Sequence, residues 1–275
     1  MRRGRGGQRP LGDRLAPRRP GLPERRGHLL GHVRDTGRTL ADPATRGYQT
    51  RNALGFHTDG SDVLALLCLR PAAAGGRIGL ASSAAVHNAV LAHRPDLARR
   101  LYRRYAVDRR EEHGPGERPY DTVPLACWHG QAQPALPPVP PGVRTAVPRR
   151  AAAGAADTEL FDLIDGAASS PAARLDLDLE AGDLLLVNNL AVLHSRSAYR
   201  DGPGHRRHLL RLWLALRRGR PLPPALWTDP HRADTAPGRG GVPPRDVIAP
   251  QHRADRTVRL PYRSHHRLAP KETTP

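Results

Sequence analysis

The chain has 275 residues, enough for one large domain or two small ones, and a formal net charge of +18. Only two Phe, three Trp and six Tyr stand beside 29 Pro and 27 Gly, so the core does not run the whole length. Two cysteines, Cys68 and Cys127, are too few for a disulfide framework or a Cys-based zinc centre.

Taken in order, residues 1–27 carry nine Arg against two acids with no period of 2 or 3.6, and read as a disordered basic tail. Order is expected to begin near Leu29 and Leu30. Val63 to Leu69 is a short apolar run closed by Arg70-Pro71, the pattern of a buried strand, with Cys68 inside it as a buried thiol. Ala72 to Gly76 is a turn and Arg77 to Ala81 a second strand. Ser82 or Ser83 can cap a helix over about 84–93 with Val86, Val90 and Leu91 on one face. Pro95 restarts it, and Leu97, Leu101 and Tyr105 extend the helical stripe to about Ala106.

From Asp108 to Ala155 the periodicity is poor. A strand over Val123–Trp128 interrupts it, and Pro137 to Pro141 admits only turn or extended polyproline. Thr158 to Ala167 is a short amphipathic helix with Leu160, Phe161 and Ile164 inward. Leu175, Leu177 and Leu179 then alternate with Asp176, Asp178 and Glu180, which predicts a half-buried strand. Leu184 to Val187 reads as a buried strand ending in Asn188-Asn189, followed by Val192-Leu193-His194. Gly202-Pro203-Gly204 turns into a strand running to Leu216. Residues 221–275 are rich in Pro and Arg and read as loosely ordered. Short strands with two inserted helices favour a mainly β jelly roll over a parallel α/β sheet.

The stretch Phe56-His57-Thr58-Asp59 offers the first chemistry. In an extended segment, side chains two apart share a face, so His57 and Asp59 can grip one ion. A second His would complete the two-His, one-carboxylate set of non-haem Fe(II) oxygenases. His194, far along the chain after a strand and turn, is the candidate. Arg207, 13 residues further, can pair bidentately with a carboxylate of a co-substrate. Trp128, Trp213 and Trp227 read as packing residues.

The order His57-x-Asp59, distant His194, then Arg207 resembles the taurine dioxygenase-like (TauD/TfdA) family of Fe(II)/2-oxoglutarate oxygenases, with similarity to clavaminate synthase-like amino-acid oxygenases. The surrounding wording agrees: Leu66-Leu67-Cys68-Leu69-Arg70-Pro71, Gly75-Gly76, Gly182-Asp183-Leu184-Leu185, Asn188-Asn189, His194-Ser195-Arg196 and Arg206-Arg207-His208-Leu209. The match covers roughly 29–216 and places the oxygenase domain at 28–220. It implies a double-stranded β-helix holding Fe(II) by His57, Asp59 and His194, with 2-oxoglutarate on the iron and its far carboxylate on Arg207. Decarboxylation to succinate would accompany O2-driven oxidation of an unactivated C–H bond in a small metabolite, such as an amino-acid derivative.

The same resemblance suggests Arg211, Arg196 and Asn189 as substrate contacts. The family's usual Thr or Ser after Gly-Gly-x is Ile78 here, and Ser82 is the substitute that could support 2-oxoglutarate. The family also has a longer segment before its His-x-Asp, so part of the N-terminal segment is expected to be missing. Two other readings are a truncated homologue with a binding role only, and a basic nucleic-acid-binding protein. The second is disfavoured because no stripe of Arg interleaved with aromatics appears. No apolar run approaches the ~20 residues that span a bilayer, so a cytoplasmic protein is expected. Oligomeric state is not legible in the sequence.

Overall fold

Two antiparallel sheets place the site between them. The computed structural model describes residues 17–21, 29–108, 116, 119–129, 133–135 and 154–216. In chain order its strands are β1 Pro17–Gly21, β2 Gly31–Val33, β3 Leu54–His57, β4 Val63–Arg70, β5 Ala74–Gly75, β6 Ile78–Ser82, β7 Arg104–Asp108 and β8 Tyr120–Pro124. There follow β9 Cys127–His129, β10 Gln133–Ala135, β11 Arg174–Leu177, β12 Leu184–Asn188, β13 Val192–Arg196, β14 Tyr199–Arg200 and β15 His208–Leu216. Helix α1 is Ser83–His93 and α2 is Ala155–Ser169. Among the described residues, no helix is long and apolar enough to cross a membrane.

The larger sheet runs β1-β15-β4-β12, with β2 also on β15, and the smaller runs β11-β6-β13-β3. All their pairings are antiparallel. Strand alternation explains how they meet. On the larger sheet Leu64, Leu66, Cys68, Val187, Leu209 and Trp213 form one core, which Ile78 completes from the smaller sheet. Burying a leucine such as Leu64 or Leu209 contributes about 2 kcal/mol. The other face of the smaller sheet, through Ala81 and Leu193, packs against α1 and α2. This is the mainly β jelly roll with inserted helices that the sequence predicts.

The structure differs from the sequence reading in several places. Pro17–Gly21, inside the segment expected to be a disordered tail, pairs along β15 beyond the end of β2. The unpaired backbone of an edge strand accepts such an addition without any side-chain pattern. Leu184 and Leu186 are 61% and 57% exposed, because β12 is covered on one face only. Leu175 is likewise exposed, and so is Leu91 on α1, where Val86, His87 and Val90 form the buried face. The stripe through Leu97 and Leu101 is a 3-10 turn, Ala98–Tyr102, and Tyr105 and Ala106 lie in β7, paired with β8. The strand expected over 123–128 is two strands, β8 and β9. The polyproline stretch 137–141 and the segment 221–275 lie outside the described residues.

Candidate metal centre

His57 ends β3 and His194 lies within β13, directly paired with it in the sheet. The strand pairing therefore sets the two imidazoles side by side, tilted by 46° with ring centroids 4.2 Å apart. Asp59 lies two residues beyond the end of β3, in a loop, so strand alternation does not aim its side chain. Asn189 does that work. Its Oδ1 accepts the Asp59 N–H at 3.2 Å, and its Nδ2 donates to the carbonyl and the hydroxyl of Ser61, both at 3.1 Å. Asn189 is fully buried, so these bonds exchange with no water.

His57, Asp59 and His194 are all buried, and one ligand atom from each lies within 4.8 Å of the others. Among the described residues this is the only such group of three. The His57 Nδ1–H can donate to Gly55 O at 2.8 Å, which fixes the tautomer and leaves Nε2 free as a ligand. The buried Nδ1 of His194 has no partner among the described residues. Among the described residues Asp59 is held through Oδ2: Trp213 Nε1 donates to it at 2.8 Å and Arg211 lies 3.7 Å away. Oδ1 accepts no hydrogen bond from those residues and can ligate.

The electrostatics suit a divalent cation. Burial pushes both imidazoles down, His194 to about 3 with the His57 ring adding to the effect, so both are neutral ligands near pH 7. For Asp59, burial acts to raise the pKa, but Arg211, His194, His57 and the Trp213 bond outweigh it and keep the carboxyl below its usual range. Two neutral nitrogens, one carboxylate oxygen and an orphaned buried nitrogen fit a borderline divalent metal such as Fe(II).

The three ligands line a cavity of about 60 Å³ between the sheets, whose apolar wall includes Leu64, Leu66 and Leu209. Arg207 and Arg196 line it too. Arg207 precedes β15 and its backbone N–H donates to Asp201 at 2.8 Å. The Gly75-Gly76 turn lies against it: a Cβ on Gly76 would stand 3.0 Å from Arg207 Nε. Arg196, two residues past His194, donates from NH2 to Thr50 O at 2.8 Å and to Asn52 O. Arg211 sits over the Tyr48 and Trp213 rings, 4.6 and 5.0 Å from their centroids.

The structure thus gathers His57, Asp59, His194, Arg207, Arg211 and Arg196 around one cavity. Two residues singled out in the sequence are elsewhere. Ser82 is exposed and its hydroxyl accepts the Ala85 N–H at 3.3 Å as the cap of α1, without lining the cavity. Asn189 bonds the Asp59 loop and does not line the cavity either. Sequence reasoning also missed Trp213, whose indole serves a ligand. Its place two residues past Arg211, on the inward face of β15, is the one signal of it.

A jelly roll with two His and one carboxylate on its inner wall defines a mononuclear non-haem metal-site class. Residues 7–213 match the taurine catabolism dioxygenase TauD, TfdA family, and the chain belongs to it. It is 33% identical over 217 residues to FR-33289 synthase of Streptomyces rubellomurinus, covering 74% of this chain and 61% of that protein. It is also 33% identical over 171 residues to a taurine hydroxylase-like protein of Stachybotrys chartarum, covering 60% of this chain and 43% of that one. The chain thus spans less than two thirds of either relative. Among solved structures it is similar to asparagine oxygenase in complex with Fe(II), 2S,3S-3-hydroxyasparagine and succinate. The two are 19% identical with a TM-score of 0.47, over 71% of this chain and 60% of that chain.

Proposed function

We propose that the chain is an Fe(II)/2-oxoglutarate-dependent dioxygenase that oxidises a C–H bond of a small metabolite, an amino-acid derivative in the first instance. The observation that carries this reading is the convergence of His57, Asp59 and His194 on one cavity wall, with Arg207 lining the same cavity. Membership of the TauD, TfdA family supports it.

Iron held there would supply reduction of dioxygen coupled to decarboxylation of 2-oxoglutarate. The chain's own residues do the rest. His57 and His194 are kept neutral by burial, and Asp59 is kept ionised and aimed by Trp213 and Arg211. Arg207 would bind the distal carboxylate of the co-substrate in a site where burial strengthens the pair. Leu64, Leu66 and Leu209 give the cavity an apolar side for the substrate to pack against. Arg211 and Asn189 are read as supports of Asp59, and Ser82 as a helix cap.

Anaerobic loading with Fe(II) and 2-oxoglutarate, followed by air, should release succinate only when both are present. His57→Ala should abolish that release. Normal succinate formation by the variant would sink the reading.

A further inference from the structure

Successive side chains of a strand point to opposite faces of its sheet. Val33 on β2 and Leu209 on β15 are register partners, and both line the cavity. Their neighbours His32 and His208 therefore project from the outer face of the larger sheet, away from His57, Asp59 and His194. His32 sits across from Leu210, so His208 is its diagonal neighbour, a separation that long side chains span. The two rings do span it. Nδ1 of His32 lies 2.8 Å from Nε2 of His208, with ring centroids 5.1 Å apart and planes tilted by 38°. His32 is exposed and His208 half-buried, so an ion with its waters can reach the pair.

Two imidazole nitrogens that face each other at this distance either share a proton or hold one ion. Metal–nitrogen bonds of about 2.0–2.1 Å that meet at a right angle set their nitrogens about 2.8–3.0 Å apart, whereas a tetrahedral angle needs about 3.4 Å. The span thus matches two adjacent positions of a square-planar or octahedral ion, the preference of Cu(II) and Ni(II), better than the tetrahedron of zinc. Ligation costs no net proton, because the ring that donates in the hydrogen bond moves its N–H to its other nitrogen. Burial, then His32, Arg34 and Arg70, hold His208 below the ordinary histidine range, so it is a neutral ligand near pH 7. The same two arginines repel a cation bound by charge alone, which disfavours the hard, oxygen-seeking ions Mg(II) and Ca(II). An ion held by imidazole donation is what fits.

We propose that His32 and His208 form a second metal site, a two-imidazole chelate on the outer face of the larger sheet for a nitrogen-preferring divalent ion such as Cu(II) or Ni(II). β2 is three residues long, and β15 is the strand it pairs with. An ion that bridges His32 to His208 staples β2 to β15 on the reverse of the cavity wall to which Val33 and Leu209 belong. The site stands apart from the proposed function, because neither histidine belongs to the His57, Asp59 and His194 group or lines the cavity.

The test is equilibrium dialysis of the full chain, stripped of metal, against Ni(II) at pH 7.5. His32→Gln and His208→Gln should each lose one equivalent of bound ion relative to the wild type. The double variant should also lose one equivalent and not two, because the two rings share an ion. His194→Gln, which disables the inner centre, should keep the equivalent that depends on His32. Ni(II) should also slow amide hydrogen exchange across residues 29–34 of the wild type by about tenfold or more, and should not do so in His208→Gln. The exchange measurement on the wild type stands whether or not a variant folds. Undiminished Ni(II) uptake by both single variants reduces the pair to a hydrogen bond and overturns the proposal. Loss of two equivalents in the double variant, or uptake without slowed exchange in the wild type, overturns it as well, since each means that the rings hold ions singly.

Discussion

The indole of Trp213 donates to Oδ2 of Asp59 at 2.8 Å, and both residues are buried. Among the described residues the bond leaves Oδ1 as the oxygen without a donor, and it orients the carboxylate before any ion arrives. Supports of this kind typically change metal affinity by about 10–100-fold when removed. Trp213→Phe should therefore weaken Fe(II) binding by about that factor while keeping the ring's packing against Leu64 and Leu209. Anaerobic titration of Fe(II), or of Co(II) followed by its visible absorption, measures this. Unchanged affinity would reduce Trp213 to a packing residue.

Asn189 holds the other end of the same loop. Its three hydrogen bonds reach Asp59 and Ser61, and all are buried. Asn189→Ala leaves the Asp59 N–H without its acceptor, a cost of about 1–3 kcal/mol. The variant should melt earlier and bind Fe(II) more weakly, because the loop carrying Asp59 is free to move. A substrate-contact role predicts the opposite pattern, with metal affinity and melting unchanged and only turnover affected.

Much of the site is legible in the sequence because ligand chemistry restricts the residue types. Few side chains other than His and Asp suit the metal set, and an Arg 13 residues past His194 has an obvious use. What is not legible is who holds whom. Trp213 and Asn189 act on Asp59 across 154 and 130 residues of chain, and no local pattern announces a hydrogen bond of that range. The fold shows the same limit. The alternation of β15 places Leu209, Arg211 and Trp213 inward, but Leu210, Leu212 and Leu214 on its other face hide this in the sequence. The unbroken run Leu184 to Val187 hides that Leu184 and Leu186 face out, since an apolar run carries no mark of which face is covered.

Acid should destabilise the metal-free protein through its two ligand histidines. Both have folded pKa values below 6.5, His194 at about 3, so the unfolded chain binds more protons than the folded one between those limits. Stability therefore rises with pH through this window and is lost as pH falls below about 6.5. One unit below that value, His194 held neutral costs about 1.4 kcal/mol. Thermal melts of metal-free protein at pH 7.5 and 5.5 should show the drop, and His194→Gln should shrink it. An equal drop in the variant would place the acid sensitivity elsewhere.

Gly76 offers a way to disturb Arg207, the proposed co-substrate anchor, without touching the ligands. Its φ of +79° lies in the left-handed region that a side chain resists, and an added Cβ would stand 3.0 Å from Arg207 Nε and 3.4 Å from Arg207 Cδ. Gly76→Ala carries the backbone cost of about 1–2 kcal/mol and pushes the guanidinium from its place beside the Tyr199 ring. The metal ligands lie on β3, β13 and the Asp59 loop, none of which the new methyl meets. Fe(II) affinity should hold while 2-oxoglutarate binds about tenfold more weakly, as a misaligned charge pair does. Equal losses of both would mean the turn supports the whole cavity, and 2-oxoglutarate affinity unchanged would separate Arg207 from the co-substrate.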